Sequence, residues 1–219
     1  MNYLAIATDY DGTLAANGHA DANAIAALQR VAARGCKLLL VTGRVLSDLK
    51  VIFPSSMQFD RVVTENGAIV FHPGSGKETL LCDPVPEKFV SALRRRGIPV
   101  ATGRVIAATH AGHAAMVREV IGELGLHLQI ILNKESAMVL PAGVDKGSGL
   151  MRALDELKIP AQSAIGIGDA ENDEALLAAC GFGVAVANAV PALKQRASLV
   201  TQRPAGAGVA EAIARIFDR

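Results

Sequence analysis

Two hydrophobic rhythms run along this chain, and the switch between them organises it. Short apolar runs recur at Tyr3 to Thr8, Leu38 to Val41, Arg61 to Thr64, Ala68 to Phe71, Ala164 to Ile167 and Gly183 to Val186. At this length they predict buried strands. Between them lie stretches with helical spacing. Asp21 to Arg34 places Ile25, Leu28 and Val31 on one face and ends at Gly35; Val45 to Ile52, Gly147 to Leu157 and Val209 to Phe217 follow the same rule. Strands alternating with helices predict an α/β fold, a doubly wound and mostly parallel sheet.

The rhythm changes between Pro84 and Pro141. A helix is predicted at Glu87 to Arg96, a strand at Val100 to Thr109, a helix at Ala114 to Leu124, and strands at Leu128 to Leu132 and Ala137 to Leu140. This is a small α+β layer, residues 84–141, inserted into a discontinuous core of residues 1–83 and 142–219. Arg94-Arg95-Arg96 is the densest basic run, and it precedes Gly97. It reads as the cation-rich last turn of a helix before its glycine cap, not as a binding patch.

Composition mainly excludes. In 219 residues the formal net charge is only +1, which argues against a nucleic-acid or anionic-membrane surface. Cys36, Cys82 and Cys180 are widely separated and odd in number, so neither a disulfide framework nor a zinc site is indicated. No stretch approaches the ~18 apolar residues of a membrane span, and the first apolar run is too short for a signal-peptide core. The expectation is a cytoplasmic protein, a monomer or weak homodimer. The pairs Gly166/Gly168 and Gly181/Gly183 lack the third glycine of a dinucleotide fingerprint.

The candidate chemistry sits where strands break. Asp9 and Asp11 close the first run in Asp9-Tyr10-Asp11-Gly12-Thr13, two residues apart, so alternation sends both carboxylates to one side and Tyr10 to the other. In an open α/β sheet that end of a strand is where ligands bind. A single acid there is usually a helix cap, but two close-set acids suit phosphoryl transfer. Asp9 is the candidate nucleophile and Asp11 the acid, then base. A calcium loop is excluded, because Leu14 and Ala20 stand where its glycine and glutamate belong. An anionic nucleophile facing an anionic phosphate needs a hard cation, and a second acidic cluster exists in Gly168-Asp169-Ala170-Glu171-Asn172-Asp173. Thr42 and Gly43, after Leu38 to Val41, offer a hydroxyl and an open N–H for phosphate. Lys146 stands at a helix start, against the dipole, and so invites an anionic partner.

Asp9-Tyr10-Asp11-Gly12-Thr13, Thr42-Gly43-Arg44, Lys146 and Gly168 to Asp173 resemble, in order, the four motifs of the haloacid dehalogenase-like phosphohydrolases. Thr64-Glu65-Asn66-Gly67-Ala68, Asn133-Lys134, Leu140 to Lys146 and Gly183 to Ala189 resemble its type IIB, Cof-like branch, whose cap lies between the second and third motifs. The resemblance covers nearly the whole chain, and none of the four motifs departs from the pattern. It implies a Rossmann-like core with Asp9 as nucleophile, Asp11 as acid/base, and Thr42 and Lys146 as phosphate holders. It also implies Mg2+ bound by the Asp9 side chain, the Asp11 backbone carbonyl and Asp169, with Asp173 close behind or directly coordinating. Substrate contacts are expected from Gly43, Arg44, Glu65, Asn66, Lys146 and Asn172, and from the cap, where His110 and His113 are candidates. The expected activity is hydrolysis of a small phosphorylated metabolite, phosphoglycolate or a sugar phosphate. A phosphomutase and a receiver-like phospho-accepting module are the alternatives. The receiver lacks a cap and the Asp-Gly-Thr turn.

Overall fold

The computed structural model describes residues 3–218. In chain order the first half of the core comprises β1 (Ala5–Thr8), a small hairpin of β2 (Ala15–Ala16) and β3 (His19–Ala20), α1 (Ala22–Ala32), β4 (Lys37–Val41), α2 (Leu46–Ile52), β5 (Arg61–Thr64), β6 (Ile69–His72) and β7 (Lys77–Leu80). The insert follows as α3 (Glu87–Arg95), β8 (Ala101–Thr102), β9 (Ala107–His110), α4 (Ala114–Glu123), β10 (Leu128–Asn133) and β11 (Ser136–Pro141). The core resumes with α5 (Lys146–Glu156), β12 (Ala164–Gly168), α6 (Glu174–Ala179), β13 (Phe182–Ala185), α7 (Pro191–Arg196), β14 (Leu199–Val200) and α8 (Ala205–Phe217).

The core is one sheet in the order β14-β13-β12-β1-β4-β5-β6-β7. It is parallel from β14 to β5, and β6 and β7 add an antiparallel edge. Register fixes the site. Thr8 aligns with Ile167 on one side and Leu40 on the other, so the three neighbouring strands run out together at Asp9, Thr42 and Asp169. Alternation sorts the side chains: Ile6, Leu38 and Leu40 pack under α1 and α8, whereas Ala5, Ala7, Leu39 and Val41 face α5 and α6. Fully burying each such Leu, Ile or Val stabilises the fold by about 1.5–3 kcal/mol.

Glycine brings α5 close to the strand ends. Gly67 has φ 107°, and a Cβ there would lie 1.8 Å from the Asp145 carbonyl oxygen; a Cβ on Gly149 would lie 2.6 Å from Gly67 Cα. This approach delivers the first residue of α5, Lys146, to the C-terminal edge of the sheet.

The insert forms a separate antiparallel sheet, β10-β11-β9-β8. Its outer face packs Ala107 and Val139 against Phe89, Val90 and Leu93 of α3 and Val117 and Val120 of α4. The inner face sends Ile106, Met138 and Leu140 toward Ala68 and Ile69 of the core. The sequence predicts one strand from Val100 to Thr109. The structure breaks it into β8 and β9, with Gly103 N–H donating to the Ile106 carbonyl at 2.9 Å across a turn. The helix at Glu87 ends as expected, with Arg94 and Arg95 in its last turn and Gly97 at φ 74°.

Candidate active site

Asp9 extends β1 by one more ladder bond, its N–H donating to the Ile167 carbonyl at 2.9 Å, and its side chain is buried. Lys146 begins α5 behind the N-cap Asp145, which forms a capping box with Ser148. Its ammonium, 1% exposed, donates to Asp9 Oδ1 at 2.6 Å and Asp173 Oδ1 at 2.5 Å. The helix dipole opposes a cation here, and the two carboxylates more than offset it. Asp173 Oδ2 accepts from the N–H groups of Asp169 and Ala170 at 2.9 and 3.0 Å, which fixes the turn after β12. Asp169 Oδ1 accepts from the Thr13 hydroxyl at 3.1 Å, and Asp169 Oδ2 from Lys134 Nζ at 2.7 Å and Asn188 Nδ2 at 3.4 Å.

Burial dominates the electrostatics. It pushes the Asp9 carboxyl up to about 8, opposed by Lys146 and reinforced by Asp173 and Asp169. Burial likewise raises Asp169, against the pull of Lys134. For Lys146 burial acts downward, but Asp173 and Asp9 outweigh it and hold the ammonium charged. Ligand oxygens of Asp9, Asp169 and Asp173 lie within 4.8 Å of one another. Three hard oxygen donors on one wall, with more acid than the adjacent ammonium can neutralise, fit a small divalent cation such as Mg2+.

Asp11 stands apart from that cluster. Both of its oxygens are taken by Arg44, whose guanidinium carbon also lies 5.7 Å from the centre of the Tyr10 ring. Tyr10 itself is buried on the opposite side of the sheet, as alternation requires. The Thr42 hydroxyl is buried and accepts from the Arg44 N–H at 3.2 Å. Helix α2 starts only at Leu46, so Thr42 and Gly43 occupy a loop, not the helix N-terminus that the sequence suggested.

A cavity of about 300 Å³ lies above these groups. The core lines it with Asp9, Asp11, Gly43, Arg44 and Asp48, and the insert roofs it with Ala101, Thr102, Gly103, Ala108, Asn133, Ser136 and Met138. Asn66 and Asn172 lie beside it, buried and joined by a 3.0 Å hydrogen bond, with Asn66 Nδ2 and Asn172 Oδ1 left without a partner. Glu65, a substrate-contact candidate from sequence, does something else. From a left-handed backbone, φ 51°, its buried carboxylate accepts from the N–H groups of Arg104, Val105 and Ile106 at 2.9, 2.7 and 3.0 Å, tying the core to the β8–β9 turn. His110 caps a short turn by accepting from Gly112 N–H at 3.1 Å, and neither it nor His113 lines the cavity. Thr13, Lys134 and Asn188 were not expected around Asp169. Their contacts span 156, 35 and 19 residues and leave no local periodicity to read.

The family model for haloacid dehalogenase-like hydrolases matches residues 6–96 and 100–213. The chain belongs to this family. It is therefore a hydrolase, and its Rossmann-like α/β core with a small antiparallel insert is the fold of that group. Among its relatives are "Phosphoglycolate phosphatase 2" of Saccharolobus solfataricus, 30% identical over 99% of this chain and 93% of that protein, and a phosphoglycolate phosphatase of Methanothermobacter thermautotrophicus, 32% identical over 97% and 98%. A solved HAD subclass IIB sugar phosphatase superposes with a TM-score of 0.78 at 20% identity, covering 96% of this chain and 98% of that one. No helix among the described residues is long and apolar enough to cross a membrane.

Proposed function

We propose that this hydrolase is a Mg2+-dependent phosphomonoesterase acting on a small phosphorylated metabolite, with phosphoglycolate the leading candidate and sugar phosphates the competitor. The observation that carries this reading is the union of Asp9, Lys146, Asp169 and Asp173 at one strand edge, beneath a roofed cavity too small for a macromolecule. The two relatives' names support the choice of phosphoglycolate.

Asp9 attacks phosphorus and the ester oxygen leaves with a proton from Asp11; water then cleaves the aspartyl-phosphate, with Asp11 taking the proton back. Arg44 orients Asp11 throughout. Lys146 holds Asp9 in place and offsets phosphate charge, while Thr42, Gly43 and the unpartnered amide of Asn66 line the approach. Bound at Asp9, the Asp11 backbone carbonyl and Asp169, Mg2+ would supply charge neutralisation; Asp173, with both oxygens already engaged, would orient the set from behind. Residues 84–141 act as a lid that reads the leaving group and excludes water.

A panel of phosphate esters assayed with Mg2+ tests this. Phosphoglycolate or a sugar phosphate should exceed generic esters in kcat/KM. No release of phosphate from any member, with the protein folded and Mg2+ present, would refute it.

A further inference from the structure

Lys134 is the one residue of the insert whose ionised side chain reaches the acids of the core turn after β12. It occupies the tip of the β10–β11 hairpin in a left-handed backbone conformation, φ 51°. Its N–H donates to Glu171 Oε2 at 3.2 Å, and its ammonium to Asp169 Oδ2 at 2.7 Å. Both acids belong to the same turn. The ammonium also lies against the Asp9–Thr13 loop, since a Cβ on Gly12 would sit 2.9 Å from Nζ. The lysine is half-exposed along its length, whereas the carboxylate it meets is fully buried.

Charge gives this contact a direction. Asp9, Asp169 and Asp173 face Lys146 and Lys134, so the two ammonium groups leave one negative charge uncompensated. A divalent cation reverses that sign, and a phosphate group then meets a net positive site. Without Lys134 the cation would meet a more negative site and be held more tightly, but the phosphate would meet a neutral one. One residue thus acts oppositely on the two ligands.

We propose that Lys134 is a second phosphate-facing lysine, carried by the insert, which supplies its charge to the site only when the β10–β11 tip is seated on the core. The charge half of this inference stands on the ion pair alone, and the phosphate half rests on the phosphomonoesterase reading. Proximity to Asp9 and Asp173 as well as Asp169 also holds the lysine charged despite its partial burial.

Isothermal titration calorimetry on Lys134→Met and Lys134→Arg tests it with two probes, Mg2+ alone and inorganic phosphate at saturating Mg2+. The methionine variant should bind Mg2+ about fivefold more tightly and phosphate about tenfold more weakly. The arginine variant keeps the charge and should stay near the parent in both. Opposite shifts separate this role from a structural one, because a disturbed fold weakens both ligands together. Equal weakening, or no change in either affinity, overturns the proposal. If the parent protein itself binds no phosphate, the phosphomonoesterase reading fails along with the phosphate half. Parent-like phosphate binding in the methionine variant defeats this proposal alone.

Discussion

Arg44 grips Asp11 by both oxygens, Nε to Oδ2 at 2.6 Å and Nη2 to Oδ1 at 2.7 Å, so the proposed acid is fixed in one plane beside the cavity. A planar fork can do this and an ammonium cannot. Arg44→Lys should therefore lower kcat about tenfold or more on alkyl phosphates. Aryl phosphates, whose leaving groups need little protonation, should be much less affected. Equal losses on both would detach Arg44 from proton transfer.

Asp9→Asn should abolish turnover, since the amide is a poor nucleophile. The fold should survive, because the change removes one of three crowded carboxylates while Lys146 keeps Asp173. A thermal melt within a few degrees of the parent together with no measurable phosphate release is the expected pair of results. Residual turnover near the parent rate would take Asp9 out of the mechanism.

Metal binding should depend on pH in a defined direction. Burial pushes Asp9 up to about 8, so without a cation this carboxyl is protonated below that value and ionised above it. A cation needs the ionised form. Mg2+ affinity should accordingly fall as pH drops from about 8 toward 6, with protons released on binding. Calorimetry in buffers of different ionisation enthalpy measures that release directly. A pH-independent affinity would contradict the assignment of Asp9 as a ligand.

The strand-to-helix rhythm and the two acidic turns were legible because they are local. Arg61–Thr64 and the starts at Ala114 and Ala164 follow from periodicity and bounding residues alone. The elements that escaped, β2–β3, β7, α6, α7 and β14, are two to six residues long and held by neighbours more than by propensity. The break at Gly103 escaped for a tertiary reason: Glu65, about forty residues earlier, captures the N–H groups that a continuous strand would have paired. Lys134 escaped likewise, since nothing in Asn133-Lys134 reveals a partner in Asp169. The catalytic acids could be read, whereas the residues that set their orientation could not.

Glu65→Gln keeps the shape but turns an NH2 toward donors that need acceptors. It should destabilise the protein by about 1–3 kcal/mol. Hydrogen exchange should accelerate at Arg104, Val105 and Ile106 while strands β1 and β4 stay protected. Uniform acceleration across the chain would mean that Glu65 stabilises the whole fold and does not act on that turn.

Gly67→Ala should be among the most damaging single changes. The new methyl would require a left-handed backbone and would collide with the Asp145 carbonyl, displacing the start of α5. A loss of about 3 kcal/mol or more in denaturant unfolding is expected. A variant with parent-like stability would show that α5 can withdraw without penalty.

The three N–H groups on Glu65 also determine how the chamber empties. Separating them would strand a buried carboxylate, at about 1–3 kcal/mol, whereas the tip at Lys134 is half in water, where an ion pair contributes about 0–1 kcal/mol. The roof is hinged at Glu65 and latched at Lys134. It swings, and the gap widens first over the cation side, away from Gly103. Product leaves by that door, and substrates that extend toward the latch can outgrow the chamber while those that extend toward the hinge cannot.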